Sequence, residues 1–192
     1  MIMKGLMYYS PRMYEMMMHV SHRGDLPKRF GAIKGLIGPG RVLELGCGTA
    51  FIQDFLDRPY LGIEKNPRFA TYALRKNRNV VVDDIFNYGN YLRKGHNTVL
   101  LMDVLHHIPN PAVLLDRLMD SNISQVIICE PYNLPESVIH SSKALNRLFD
   151  SDGINDATDW HDRESLIDFY EGYGGVDLTE IRNSIITRIP VR

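Results

Sequence analysis

From residue 42 to residue 129 the chain repeats one pattern, a short apolar run followed by a stretch with helical spacing. The strand candidates are Val42–Leu45, Tyr60–Ile63, Val80–Val82, Thr98–Met102 and Gln125–Cys129, and the helix candidates between them are Ala50–Leu56, Pro67–Lys76, Ile85–Leu92 and Pro111–Met119. Short apolar strands alternating with amphipathic helices predict a parallel sheet with helices on both faces. Two further runs, Val176–Ile181 and Ser184–Pro190, alternate in polarity around a tight turn at Arg182-Asn183 and predict a terminal antiparallel hairpin. The expected class is therefore α/β, with a seven-stranded, mostly parallel sheet ending in a C-terminal hairpin.

The flanks extend this plan. Ser10-Pro11 places a capping side chain before a proline at the first helical position, and Met13, Met16, Met17 and Val20 follow at helical spacing. This segment is read as a helix packing on the domain rather than as a methionine-rich partner surface. A second helix over Lys28–Leu36 stops at Gly38-Pro39-Gly40, so residues 1–40 are expected to be N-terminal helices. Residues 131–173 are long for a connection. Leu134–Phe149 reads as a helix, Asp150–Trp160 as a loop of turn formers and Arg163–Glu171 as another helix. Long insertions in compact domains are usually binding elements, and this one is expected to be a lid. With 192 residues the whole chain, 1–192, is expected to form one domain.

Arg41-Val-Leu-Glu-Leu-Gly-Cys-Gly-Thr-Ala50 carries the first functional signal. An apolar strand enters a Gly-x-Gly turn at Gly46 and Gly48, where a backbone without Cβ atoms can approach a ligand closely. A dinucleotide fingerprint would need a third glycine where Phe51 stands, and a phosphate loop would need a lysine after Gly48. Glu44 beside the loop repels phosphate and suits a ligand bearing an ammonium or sulfonium group. S-adenosylmethionine has both and no phosphate, so it is expected in preference to NAD.

Charge and composition narrow the partners. Lys plus Arg number 22 against 23 Asp plus Glu, a formal charge of −1, which gives no general polyanion signal and makes nucleic acid an unexpected partner. Cys47 and Cys129 are read as buried free thiols. No run is long and apolar enough to span a membrane, and the Met-rich start lacks a signal-peptide pattern, so a cytoplasmic protein is expected. Oligomeric state is left open.

Together these residues resemble the class I S-adenosylmethionine-dependent methyltransferases, which share a Rossmann-like three-layer sandwich. Residues 41–130 carry the resemblance by motif, and the terminal hairpin extends it by architecture. Glu44-Leu-Gly-Cys-Gly-Thr-Ala50 is similar to the family's first motif, with Ala50 where a glycine is usual. By resemblance, Gly46, Cys47 and Gly48 form the cofactor loop and Glu64, next to Lys65, holds the ribose hydroxyls. Asp84 receives the adenine amino group, Ile85 packs on the ring, and Asp83 is a competing assignment to Asp84. Met102-Asp103-Val-Leu-His-His-Ile108 resembles the small-molecule branch of the family, and Met102 and Asp103 are placed near the methionyl end. Asn97 stands where that branch often has an acid. No Asn/Asp-Pro-Pro-Tyr/Phe motif follows, which argues against a base or amide amino methyltransferase.

His107 is the first candidate for a general base and His106 the second, with His140 and His161 less favoured. Adjacent side chains diverge in extended chain, so only one of His106 and His107 is expected to serve the substrate. No metal-ligand spacing occurs, and Asp103 with Glu130 is the only obvious acidic pair. In the lid, Tyr132, His140 and Trp160 are the substrate candidates, and Tyr8, Tyr9 and Tyr14 could close the other side. The expected function is methyl transfer to a small or medium-sized organic acceptor. One alternative is transfer to protein or RNA, which a basic face including Arg12, Arg23, Lys28 and Arg29 would favour. The other is a non-enzymatic cofactor-binding regulatory module.

Overall fold

A computed structural model describes residues 10–21, 24–92, 96–132 and 162–191. Within them the seven strands are β1 (Arg41–Leu45), β2 (Tyr60–Glu64), β3 (Val80–Val82), β4 (His96–Met102), β5 (Gln125–Pro131), β6 (Val176–Ile181) and β7 (Ser184–Pro190). They form one sheet in the order β3-β2-β1-β4-β5-β7-β6. The first five in that order run parallel, and β7 lies antiparallel between β5 and β6. The chain turns from building one half of the sheet to building the other between β1 and β4. At such a switch point the loops leaving the carboxyl ends of the strands separate and leave a crevice.

Strand alternation divides the core in two. Leu43, Leu45, Val99, Leu101, Val126 and Ile128 face one side and pack with α4 (Pro111–Met119) and α5 (Arg163–Gly172) through Leu114, Leu115, Leu118, Leu166 and Tyr170. Val42, Leu100, Ile127 and Ile186 face the other side, against α2 (Leu26–Leu36) and α3 (Pro67–Arg75) through Leu26, Phe30, Ile33, Ala70 and Ala73. The result is the three-layer α/β arrangement that the alternating pattern predicts. Another helix, α1 (Pro11–Ser21), starts as Ser10-Pro11 foretells, with Met13 N–H donating to Ser10 Oγ at 3.4 Å. Prolines sit in the first turns of α2, α3 and α4, and Asp162 and Ser165 cap α5 reciprocally.

Several predicted boundaries shift. The segments predicted as helices over Ala50–Leu56 and Ile85–Leu92 are short 3₁₀ helices, Phe51–Phe55 and Ile85–Asn90. Each is a single tight turn, too short for an α-helical ladder to develop. Ala50, which enters the first, has φ +53°, the left-handed conformation that explains why glycine is usual there. α2 begins at Leu26 rather than Lys28, because buried Leu26 belongs to its core face. The hairpin turn falls at Arg182-Asn183 as predicted, with Arg182 at φ +58°. The predicted helix Leu134–Phe149 and loop Asp150–Trp160 lie outside the described residues, and so does most of the expected lid at 131–173.

Candidate active site at the carboxyl ends of the strands

The Gly-x-Gly turn leaves β1 directly above the switch point. Gly46 and Cys47 N–H groups both donate to Ile63 O, at 2.9 and 3.0 Å, which ties the turn to β2. Gly46 has φ +70°, and a Cβ there would stand 2.5 Å from Val104 Cγ2. The turn therefore requires glycine on both conformational and steric grounds. Glu64 ends β2 and faces the same turn. Its Oε2 accepts from Gly48 N–H at 2.8 Å and its Oε1 from Asn66 N–H at 2.6 Å. One carboxylate thus joins the Gly loop to the β2–α3 connection.

Asp84 follows β3 and caps the second 3₁₀ helix, accepting from Phe86 N–H at 3.0 Å and from Lys65 Nζ at 2.9 Å. The cation and the amide hold its carboxyl below the ordinary aspartate value, Lys65 being the larger cause. Asp83 is committed elsewhere, to Tyr91 Oη, Asn87 Nδ2 and Asp84 N–H. Ile85 is half-buried against the core next to Asp84.

Glu44 differs from the expectation. It is 1% exposed, on the α2 side of β1, and accepts a hydrogen bond from Tyr60 Oη rather than facing the loop opening. Burial pushes its carboxyl up to about 8, against the lowering effect of the Tyr60 bond. The Cys47 thiol, packed behind the loop beside Gly62, is also raised by burial. A stability consequence follows for Glu44. Between its ordinary value near 4.5 and about 8 the unfolded chain releases the Glu44 proton while the folded chain keeps it. Stability from this group is complete at low pH and is lost as pH rises through 8. Glu44→Gln removes that loss. Its melting temperature should exceed the wild-type value by a margin that grows by several degrees between pH 5 and 8.5; a margin independent of pH would contradict the assignment.

After β4 the chain makes a sharp turn. Asp103 has φ +53°, its N–H donates to Cys129 O at 2.9 Å, and its Oδ1 meets Arg29 Nη2 at 2.6 Å. Arg29 is 1% exposed and also reaches Cys129 Sγ at 3.0 Å. Burial, the largest single effect, would lower the guanidinium, but Asp103 and Cys129 together outweigh it and raise it, so Arg29 stays a cation. Cys129 is pushed up to about 12 by burial despite Arg29.

Val104 to His107 form the next turn, and Glu130 organises it from β5. Fully buried Glu130 accepts Val104 N–H and Leu105 N–H through Oε1 at 2.7 and 2.8 Å, and its Oε2 lies 2.6 Å from His106 Nδ1. Leu105–His107 is a 3₁₀ turn rather than extended chain, and the His106 and His107 rings lie 4.0 Å apart. The two imidazoles are therefore in ring contact instead of diverging.

The other expected residues are distributed unevenly. Met102 is half-buried at the end of β4 and lines a small cavity with Cys47 and Tyr14. Tyr132 is held by the hairpin, donating to Glu180 at 2.6 Å and Arg182 O at 3.1 Å. His140, His161, Trp160, Tyr8, Tyr9 and Arg23 lie outside the described residues. Of the residues named for a basic face, Arg29 is buried and Lys28 pairs with Asp25 at 2.8 Å. Cys47 and Cys129 are free and buried. Among the described residues no group of three or more His, Cys, Asp or Glu side chains gathers as a metal site, and no helix is long and apolar enough to cross a membrane. Reading the sequence missed Glu130 as the partner of His106, Arg29 as the partner of Asp103 and Tyr60 as the partner of Glu44. None of these pairs is local in the chain. A lone arginine or tyrosine on an apolar helix face or strand was the only signal.

No protein-family model and no curated protein matches the chain by sequence. Solved structures do match. A Thermotoga maritima protein described as an SAM-dependent methyltransferase, possible histamine N-methyltransferase, is 15% identical, aligns over 97% of this chain and 98% of its own, and has a TM-score of 0.69. The magnesium protoporphyrin IX methyltransferase of Synechocystis PCC 6803, with bound SAH, is 15% identical over 90% of this chain and 84% of its own, with a TM-score of 0.59. A plantazolicin methyltransferase in complex with SAH is 19% identical over 87% and 70%, with a TM-score of 0.60. The chain has the fold of the class I S-adenosylmethionine-dependent methyltransferases.

Proposed function

We propose that this chain is an S-adenosylmethionine-dependent methyltransferase acting on a small or medium-sized organic acceptor. The observation that carries the reading is the alignment of Gly46–Gly48, Glu64, Asp84 and the Asp103–His107 turn along the carboxyl edges of β1, β2, β3 and β4, beside the switch point. The donor set fits the ligand. The acids of this edge suit ribose hydroxyls, an adenine amino group and a cationic methionyl end, and the nearby lysine, Lys65, is paired with Asp84. In this reading Glu64 takes the ribose, Asp84 with Ile85 takes the adenine, and the Gly46-Cys47-Gly48 backbone permits close approach. Asp103 and Met102 border the methionyl end, and Glu44 lies beneath the loop.

S-adenosylmethionine supplies the electrophilic methyl group when bound. The chain's own part is to align the acceptor, exclude water and take up a proton where the acceptor carries one. For the last task the geometry favours His106 over His107. With Nδ1 directed at the buried Glu130 carboxylate, 2.6 Å away, His106 is held in one orientation. Glu130→Gln keeps an acceptor for the Val104 and Leu105 amides and removes the charge behind His106. It should lower kcat about tenfold or more and leave the cofactor KM within about twofold. An equal rise in KM with unchanged kcat would contradict this role.

Two similarly folded proteins carry small-molecule names, a magnesium porphyrin and plantazolicin, which supports the acceptor class proposed here. The test uses S-adenosylmethionine with a labelled methyl group and separated fractions of cell extract. Label appearing in the low-molecular-mass fraction is expected. Label confined to protein or RNA would overturn the acceptor class, and tight binding with no transfer to any fraction would favour a regulatory module.

A further inference from the structure

The glycine loop is covered by α1. Among the described residues, the three atoms nearest the position a Cβ would take at Gly48 all belong to Tyr14, with its hydroxyl 3.5 Å away. The space left between α1 and the loop, lined by Tyr14, Met18, Cys47, Thr49 and Met102 among others, is a cavity of about 30 Å³. That is room for one or two waters and far too little for a nucleoside-sized ligand. A ligand seated on Gly46–Gly48 therefore touches Tyr14 or displaces it.

The attachment of α1 differs in kind from that of the other helices. From Pro11 to Val20 no residue is fully buried, and Met16 and Val20 are 58% and 60% exposed. Among the described residues its contacts with the body are Met18 against the α2-side core, edge-on ring pairs of Tyr14 on Phe69 at 5.0 Å and His19 on Phe51 at 5.4 Å, and one polar clamp. In that clamp Glu15 accepts from Arg78 Nη1 at 2.6 Å and from Tyr72 Oη at 2.9 Å. Arg78, 4% exposed, simultaneously grips Asp54 through two nitrogens and donates to Thr49 O at 2.8 Å. One guanidinium thus fastens the helix to the glycine loop that the helix covers. An element with little buried apolar surface and one charged clamp can open without unfolding the core.

We propose that α1 is the cover of the cofactor site, with Tyr14 as its ligand-contacting residue and the Glu15–Arg78 pair as the latch that breaks when ligand enters. This rests on the S-adenosylmethionine reading given above. Opening before binding makes a specific kinetic signature, because the observed binding rate then levels off at the opening rate as ligand is raised. Stopped-flow mixing of the full chain with S-adenosylhomocysteine, followed by intrinsic fluorescence, reads it. The wild type should reach a plateau. Glu15→Gln should raise that plateau about tenfold, Tyr72→Phe should raise it less, and Tyr14→Ala should speed dissociation of bound ligand. Because these rates are read on folded protein, partial loss of stability in a variant does not imitate them. Binding with a rate linear in ligand and equal in wild type and Glu15→Gln would overturn the cover while leaving the cofactor reading intact. Absence of binding in every variant would overturn both.

Discussion

Replacing Glu64 with alanine will weaken S-adenosylhomocysteine binding about 100-fold or more. The carboxylate stands at the end of β2 with the glycine loop on one side and the β2–α3 connection on the other. In the proposed complex it accepts both ribose hydroxyls, and each charge-assisted bond is worth about 1.5–3 kcal/mol. Two of them account for a change of that size, since tenfold in affinity is about 1.4 kcal/mol. Glu64 also satisfies Gly48 and Asn66 amides, so lost affinity alone would not separate ligand contact from loop support. A 2′-deoxy analogue separates them. It should bind the wild type much more weakly than S-adenosylhomocysteine does, whereas Glu64→Ala should scarcely distinguish the two ligands. If the variant still discriminates by the wild-type factor, the carboxylate supports the loop and does not hold the ribose.

The second large effect is on stability. Arg29→Met is expected to cost about 3–5 kcal/mol in urea unfolding, because it leaves Asp103 without the buried cation that neutralises it. The pair is nearly solvent-free, with side-chain exposures of 1% and 15%, so solvent screening does little to soften the loss. Asp103 also occupies a left-handed backbone conformation at the β4 exit, and the ion pair helps to hold it there. Adding Asp103→Asn to Arg29→Met should recover a substantial part of the loss by removing the orphaned charge. A single variant within about 1 kcal/mol of wild type, or a double variant no better than the single one, would contradict this account.

These two residues illustrate what the sequence could and could not disclose. Glu64 was legible because an acid closing the second strand of a βαβ pattern has one geometric place, opposite the glycine turn that closes the first. Val80–Val82, Pro111–Met119 and both hairpin strands were legible to the residue, since periodicity and punctuation there are local properties. Arg29 was named only as a residue that a basic face would include, because nothing in α2 reveals that its guanidinium meets Asp103, 74 positions away in the chain. Glu44 was read as a carboxylate beside the loop, but its partner Tyr60, 16 positions away, was not legible. His106 and His107 were expected to diverge because an extended backbone was assumed, and a 3₁₀ turn brings them together. In each case the error lay in long-range pairing or in side-chain direction. Neither is carried by hydrophobic period.

Buried charge is concentrated under the proposed site. Glu44, Glu130, Arg29 and Asp103 all lie at or below the carboxyl ends of β1, β4 and β5, and each has a named partner. Such groups cost stability unless they are paired, and here they hold turns in fixed shapes beside the crevice. A cationic ligand arriving near Glu44 would favour its ionised form, so binding should release a proton near neutral pH and tighten as pH rises toward 8.

Isothermal titration of the folded chain with S-adenosylhomocysteine tests the central claim most directly. Saturable one-to-one binding, lost on Glu64→Ala, is the predicted result. A flat titration at millimolar ligand, with the protein still showing its cooperative melt, would contradict it.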